Sequence, residues 1–266
     1  MEHVFSKEQT CESLTLKILG SGCCVPSLSR SSPANLIKFN GKTYLLDIGP
    51  GTLKQLNKAK EDYKKIDAII LSHRHPDHSA DLIPLIQAFC YNPEFKREKD
   101  LLIIGAKLTQ EFIESLLELY GFNVKEFKII FKEPDEMLVI DSRTVFKFIK
   151  GSHSSSSIIT KMEFACKNGI KKSIVYTGDT GYDEEISEFA EDCDLLITEC
   201  SFPFKQKGHL SPEEAAELAQ KAKARKLLLT HFYPQCDNYE LQLKDRVKEY
   251  YFNKILFAQD FMEVII

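Results

Sequence analysis

The chain has 266 residues, 43% of them hydrophobic and 28% charged, and a formal net charge of −4. That balance can bury one large core, so a single domain spanning 1–266 is the economical reading; it provides no global positive field to draw in nucleic acid, and DNA is not an expected partner. Eight cysteines without a C-x-x-C pair, two of them adjacent at Cys23 and Cys24, suit neither a disulfide framework nor a structural zinc knuckle and read as reduced thiols.

Residues 1–17 carry charges at Glu2, Lys7, Glu8, Glu12 and Lys17 and no long apolar stretch, so neither a signal peptide nor a membrane span is expected, and a cytoplasmic location is. Residues 14–19 form a strand running into Gly20-Ser21-Gly22, a tight turn and not a P-loop, because no Gly-Lys-Ser/Thr follows. Residues 34–39 and 43–48 flank Asn40-Gly41, a strong hairpin signal, and the second strand delivers Asp47 to the edge of the core. Thr52 caps a helix over 53–60, the apolar run 67–71 is a buried strand, and a helix from 79 to 89 holds Pro84 in its first two turns. Strand, helix and strand follow at 101–106, 109–120 and 127–131, then strands at 137–140 and 144–149. A hairpin over 158–166 and 173–177 turns at Asn168-Gly169. After a helix at 183–190 and a strand at 194–199, Ser211, Pro212 and Glu214 make a capping box that opens the helix 213–224. A strand at 226–230, an amphipathic helix at 238–250 and short strands at 255–257 and 262–266 complete the chain.

Between the strand at 67–71 and the next helix stands Ser72-His73-Arg74-His75-Pro76-Asp77-His78. Solvated turns favour Asn, Gly and Ser, whereas three imidazoles and a carboxylate are the donor set of zinc or a similar divalent metal, and two such metals can share one water. Of the seven histidines, all but His3 fall at or beside strand ends or in flanking loops. His153 follows the strand at 144–149, Asp179 the strand at 173–177 and His231 the strand at 226–230, so three more strand ends offer ligands.

These parts, with Leu19-Gly20-Ser21-Gly22, Asp47-Ile48-Gly49-Pro50-Gly51-Thr52, Thr177-Gly178-Asp179-Thr180, Thr198-Glu199-Cys200-Ser201 and Gly208-His209-Leu210, resemble the metallo-β-lactamase superfamily in its ribonuclease Z-like phosphodiesterase branch. The resemblance implies an α/β fold, a four-layer αββα sandwich with two mixed β-sheets between helices. It implies that His73, His75 and His153 hold one metal, that Asp77, His78 and His231 hold the other, and that Asp179 bridges them. Two Zn2+ per chain are expected, with Mn2+ as the alternative, and Asp47 is expected to buttress the metal loop without binding metal. The family often has a glycine after the loop where Ala80-Asp81 stands here, which weakens assignment to the thioesterase branch. Asp179 argues against β-lactamases that use cysteine there, and His75 against flavodiiron proteins that use glutamate.

The reaction expected is hydrolysis of a phosphodiester by a metal-bridging hydroxide, with His209 as proton donor or phosphoryl ligand, Glu199 orienting it, and Asp77 accepting a hydrogen bond from the nucleophile. The substrates expected are RNA 3′ ends or small diesters; hydrolysis of a thioester or lactone is the alternative, and a homodimer is left open. The run Ser154 to Ser157 reads as a solvated loop, with hydroxyls for a substrate phosphate as the other reading. Only 25 residues separate His153 from Asp179, too few for the long arm with which transfer-RNA-processing members of the family grip their substrate. Small diesters or short single-stranded ends are therefore expected in preference to precursor transfer RNA.

Overall fold

The computed structural model describes residues 13–266; His3, Cys11 and most of the charged N-terminal stretch read above lie outside them. The first sheet begins with β1 (Thr15–Gly20), β2 (Ala34–Phe39) and β3 (Lys42–Leu46). Asn40 and Gly41 both have positive φ, 49° and 74°, as a type I′ hairpin turn requires. After α1 (Thr52–Lys58) come β4 (Ala68–Ile70), α2 (Pro76–Ser79), α3 (Leu82–Tyr91), β5 (Leu101–Ile104), α4 (Thr109–Leu119) and β6 (Ile129–Lys132). The second sheet takes β7 (Met137–Asp141), β8 (Thr144–Lys150), β9 (Ile158–Ala165) and β10 (Lys171–Tyr176), then α5 (Glu184–Phe189), β11 (Leu195–Glu199), α6 (Pro212–Lys221) and β12 (Lys226–Thr230). The chain closes with α7 (Pro234–Asp237), α8 (Glu240–Tyr250), β13 (Lys254–Phe257) and β14 (Glu263–Ile265).

Each sheet has seven strands, in the orders β14-β1-β2-β3-β4-β5-β6 and β13-β12-β11-β10-β9-β8-β7. Pairing is antiparallel up to β3 and parallel from β3 to β6; it is antiparallel from β7 to β10 and parallel from β10 to β13. Side chains that alternate along a strand separate two apolar layers. Tyr44, Leu46, Ala68 and Ile70 face the second sheet in one core, while Leu45, Ile69 and Leu71 pack with Leu56, Leu85, Ile86 and Ile113 of α1, α3 and α4 in another. Across the two sheets Phe39 meets Phe164 at 5.0 Å and Tyr44 meets Phe146 at 5.4 Å between ring centroids. On the far side of the second sheet, Ala215, Leu218, Leu243 and Val247 bring α6 and α8 into the same core. The result is the four-layer αββα sandwich with mixed sheets. No helix among the described residues is long and apolar enough to cross a membrane.

Two local expectations are corrected, and one short helix is additional to them. Thr52 is the first residue of α1 and not its cap; Gly51, at φ 88°, takes the cap position, and the Thr52 hydroxyl donates to Gly49 O at 2.7 Å. The single helix expected from residue 79 is two pieces, because the Asp81 N–H goes to Ile48 O, 3.0 Å away, and its carboxylate accepts from Leu53 N. The segment before α8 forms α7, a single turn with Pro234 at its start.

The turn after β3 packs tightly on α2: Ile48 N donates to His78 O at 2.8 Å, and a Cβ on Gly49 would fall 2.0 Å from Asp77 O and 2.7 Å from Ser32 Cβ. Gly49→Ala is therefore expected to lower unfolding stability by about 1–3 kcal/mol, read from the denaturant midpoint.

Candidate metal centre

The residues singled out above meet at one edge of the sandwich, where the turns after β3, β4, β8, β10, β11 and β12 converge. Open α/β sheets place their sites there, at the carboxyl ends of the strands. In the turn after β4, His73 stands three residues beyond the strand, His75 takes the N-cap position of α2 in extended conformation, and Pro76 at the first helical position puts Asp77 and His78 in that single helical turn. His231 directly follows β12 with φ 62°, and Asp47 follows β3 with φ 58°. Two non-glycine residues in the left-handed region, both at this edge, are strained backbone held by their surroundings.

His73 Nε2 lies 2.9 Å from His75 Nδ1, and His153 Nε2 3.1 Å from the same atom. In a second group, His78 Nε2 and His231 Nε2 are 3.2 Å apart, and Asp77 Oδ2 is 3.6 Å from the first and 3.5 Å from the second. Asp179 stands between the groups, with Oδ1 3.4 Å from His78 Nε2 and 3.3 Å from His231 Nε2, and Oδ2 3.9 Å from His153 Nε2. The expected residues are thus brought together.

The far nitrogen of four of these imidazoles faces an acceptor. His153 Nδ1 donates to Gly208 O at 3.0 Å and His78 Nδ1 to Asp47 Oδ2 at 2.7 Å. Ser72 Oγ, which donates to Asp47, and Ser201 Oγ, which donates to Glu199, are left to accept from His73 Nδ1 at 3.1 Å and His231 Nδ1 at 2.9 Å. Each of these bonds places the proton on Nδ1 and leaves the Nε2 lone pair facing inward. Lone pairs and a carboxylate crowded this closely repel one another unless a cation lies among them, and nitrogens about 2.0–2.1 Å from a tetrahedral zinc would be spaced much as these are. Asp179 Oδ1 is buried and has no hydrogen-bond partner among the described residues, which suits an atom that a positive charge would satisfy. The donor set therefore fits a pair of divalent metals, with His73, His75 and His153 able to hold one, Asp77, His78 and His231 the other, and Asp179 both.

Burial and the neighbouring charges of opposite sign pull the proton affinities of these groups in opposite directions. Burial, with His78 adding to it, pushes His73 down to about 3. Burial also disfavours charge on His78, but the carboxylates of Asp179 and Asp47 outweigh it and take that ring well above the ordinary histidine range. For Asp179, burial opposes ionisation, yet His231 and His78 hold the carboxyl well below its usual range.

Asp47 is the buttress expected of it. Its buried carboxylate accepts from Ser72 N at 2.7 Å, Ser72 Oγ at 2.8 Å, His78 Nδ1 at 2.7 Å and Tyr176 OH at 2.6 Å. Tyr176, Ser201 and the Gly208 carbonyl were not anticipated. Ser201 was signalled only by parity, two residues after Glu199 on the same side of the chain. The four-serine run is bonded within itself, Ser154 Oγ to the hydroxyls of Ser156 and Ser157 and Ser156 Oγ to Arg74 N, so it stiffens the His153 loop and leaves few hydroxyls for a ligand.

His209 sits beside the metal ligands, 4.8 Å from His153 and 6.4 Å from His231 between ring centroids. Its Nδ1 contacts both oxygens of Glu199, at 2.8 and 3.0 Å, which leaves Nε2 for a ligand. Burial works against a proton on His209, but Glu199 overcomes it and raises the ring above the ordinary value. Burial and then Asp179 raise Glu199 itself, which also accepts from Thr180 N at 2.7 Å.

Residues 42–232 match the beta-lactamase superfamily domain. The ribonuclease Z of Thermococcus sibiricus is 32% identical, with 93% of this chain and 95% of that protein aligned. The chain belongs to the beta-lactamase superfamily, in its ribonuclease Z branch. It is accordingly a metal-dependent hydrolase. The ribonuclease Z of Archaeoglobus fulgidus is 26% identical over 94% of this chain and 96% of its own. Among solved structures, the metallo-beta-lactamase fold protein YhfI from Bacillus subtilis superposes with a TM-score of 0.80 at 26% identity, covering 96% of this chain and all of that one. The short form of human tRNase Z, 24% identical and covering 94% and 98%, shares the fold with a TM-score of 0.74.

Because Asp47 ties β3, β4 and β10 to the metal loop, its loss exposes four donors at once. Asp47→Ala is expected to cost about 3–5 kcal/mol in denaturant unfolding, whereas Tyr176→Phe, which removes one bond to a charged acceptor, should cost about 1.5–3 kcal/mol. Equal costs would deny Asp47 the central place.

Proposed function

We propose that this branch member is a dinuclear, zinc-dependent phosphodiesterase acting on small diesters or short single-stranded RNA ends. The observation that carries the reading is the inward convergence of four Nε2 lone pairs around the partnerless Asp179 oxygen. When bound, the metals would supply Lewis acidity and make a water nucleophilic at neutral pH by lowering its pKa from about 15.7 toward 7. Asp77, whose Oδ2 faces His78 and His231, keeps Oδ1 to accept a hydrogen bond from the attacking water. His209 Nε2–H protonates the departing alkoxide, and Glu199 holds the ring in place and keeps it charged. This donor favours a phosphodiester over a thioester, since a thiolate departs without a proton and makes a held acid redundant.

The range of substrates follows from what β9 and β10 lack. They form a plain hairpin closed at residues 166–170 by Cys166 N to Ile170 O and Gly169 N to Cys166 O. The alignment with the Thermococcus sibiricus ribonuclease Z runs over 298 positions while taking in 93% of 266 residues, about 247, so about 50 positions are filled in that relative alone. A shorter chain with net charge −4 has fewer phosphate contacts to offer a folded RNA, and affinity for folded RNA rests on such contacts.

Elemental analysis after loading with zinc or manganese should find about two ions per chain. His75→Ala should empty mainly one position, while Asp179→Ala should deplete both, because only Asp179 touches both groups. No bound metal in the loaded wild type would end the proposal. For the acid, His209→Ala should lower turnover of an unactivated diester by about 10²–10⁴ with metal content intact, and by much less with a nitrophenyl leaving group. Equal losses on the two substrates would make His209 a phosphoryl ligand instead.

A further inference from the structure

Beside the metal ligands lies a cavity of about 610 Å³, within the range of about 300–1,000 Å³ usual for ligand pockets. It shares His153 and His209 with the centre, and Ser152, Tyr182, Lys205 and Lys207 form much of the rest of its wall. The one acidic residue lining it, Glu214, is engaged by Lys205 and by Ser211 N at 3.0 Å within the capping box of α6. Lys207 is exposed and makes no hydrogen bond or ion pair among the described residues. The cavity therefore carries one positive charge that the fold does not use.

The backbone that carries this charge is held in place by the metal centre itself. Gly208, the next residue, has φ 80°, and its carbonyl takes the Nδ1 proton of His153; a Cβ there would lie 3.5 Å from that nitrogen. His209 N in turn donates to Gln206 O at 3.3 Å. The backbone on both sides of Lys207 is thus pinned to a metal-ligand candidate and to the proposed acid. The cavity thus places Lys207 on the same wall as the ring proposed to protonate the leaving group.

We infer that this cavity is a subsite for the departing portion of the substrate, with Lys207 as its anion-binding residue, so that the scissile diester is accompanied on its leaving side by a second phosphate. The inference rests on the phosphodiesterase reading above and narrows it. It selects oligonucleotides with at least two phosphates over cyclic mononucleotides, isolated diesters and uncharged esters.

The test uses metal-loaded protein and two dinucleotides that differ only in a terminal phosphate on the nucleoside that departs. The phosphorylated one should be cleaved with about fivefold or greater kcat/KM, a preference that weakens as salt rises. Lys207→Ala should bring the ratio of the two kcat/KM values toward one, and Lys207→Glu should invert it. Equal wild-type rates, or a ratio untouched by either substitution, would overturn the subsite. A fluorescent nucleoside monophosphate titrated into the same proteins separates the two layers of the argument. Binding to wild type that is lost in Lys207→Glu, with neither dinucleotide cleaved, would keep the subsite and remove the phosphodiesterase reading; equal binding to both proteins, or to neither, would remove the subsite.

Discussion

Four imidazole lone pairs pointed into one buried space around a carboxylate form an arrangement that repels itself, and much of the edge where they meet exists to hold it. Left alone, the rings would rotate. Each is prevented by an acceptor behind it: Asp47 behind His78, Ser72 behind His73, Gly208 O behind His153, and Ser201 behind His231. Those acceptors belong to three turns, after β3 and β4 in one sheet and β11 in the other, so the centre cannot be assembled before both sheets are. The left-handed backbone at Asp47 and His231 is tolerated for the same reason, since each lies where two such turns must be brought to one point.

The two sheets follow one plan. Each runs antiparallel to a switch strand and parallel beyond it, and the switch strands are β3 and β10. The first acidic residue after β3 is Asp47 and the first after β10 is Asp179, so equivalent turns supply two of the buried carboxylates of the site. Their surroundings divide the work. Asp47 is saturated by four hydrogen bonds and can only orient other groups, while Asp179 keeps an oxygen without a hydrogen-bond partner among the described residues and faces three nitrogens. A single turn type has yielded a buttress in one sheet and a candidate bridging ligand in the other.

Much of this was legible in the chain because strand ends are legible. Alternating or continuous apolar runs place the ends of β4, β8, β10 and β12 within a residue or two, and His73, His153, Asp179 and His231 stand just beyond them. What could not be read depends on tertiary contacts. The break between α2 and α3 is made by Ile48 O drawing off the Asp81 amide, and a carbonyl has no signature in sequence. The same holds for Gly208 O behind His153. Tyr176 looked like one more apolar strand residue until its hydroxyl was found on Asp47. The serine run had the composition of a phosphate cradle, yet its hydroxyls are spent on one another, which only geometry reveals.

The position of Glu199 ties the proton donor to the metal ligands more closely than either requires separately. A proton on His209 must be kept beside a centre built to attract positive charge, and a bare imidazole there would lose it. Glu199, fully buried at the end of β11, answers with both oxygens on His209 Nδ1, while the same carboxylate receives the Ser201 hydroxyl that orients His231. One buried charge therefore holds the acid ionised and sets the tautomer of a metal ligand. Removing it would fail in two ways at once: the His209 ring would shed its proton as positive charge gathered nearby, and Ser201, released, could turn its own proton toward His231 and rotate that lone pair out of the site.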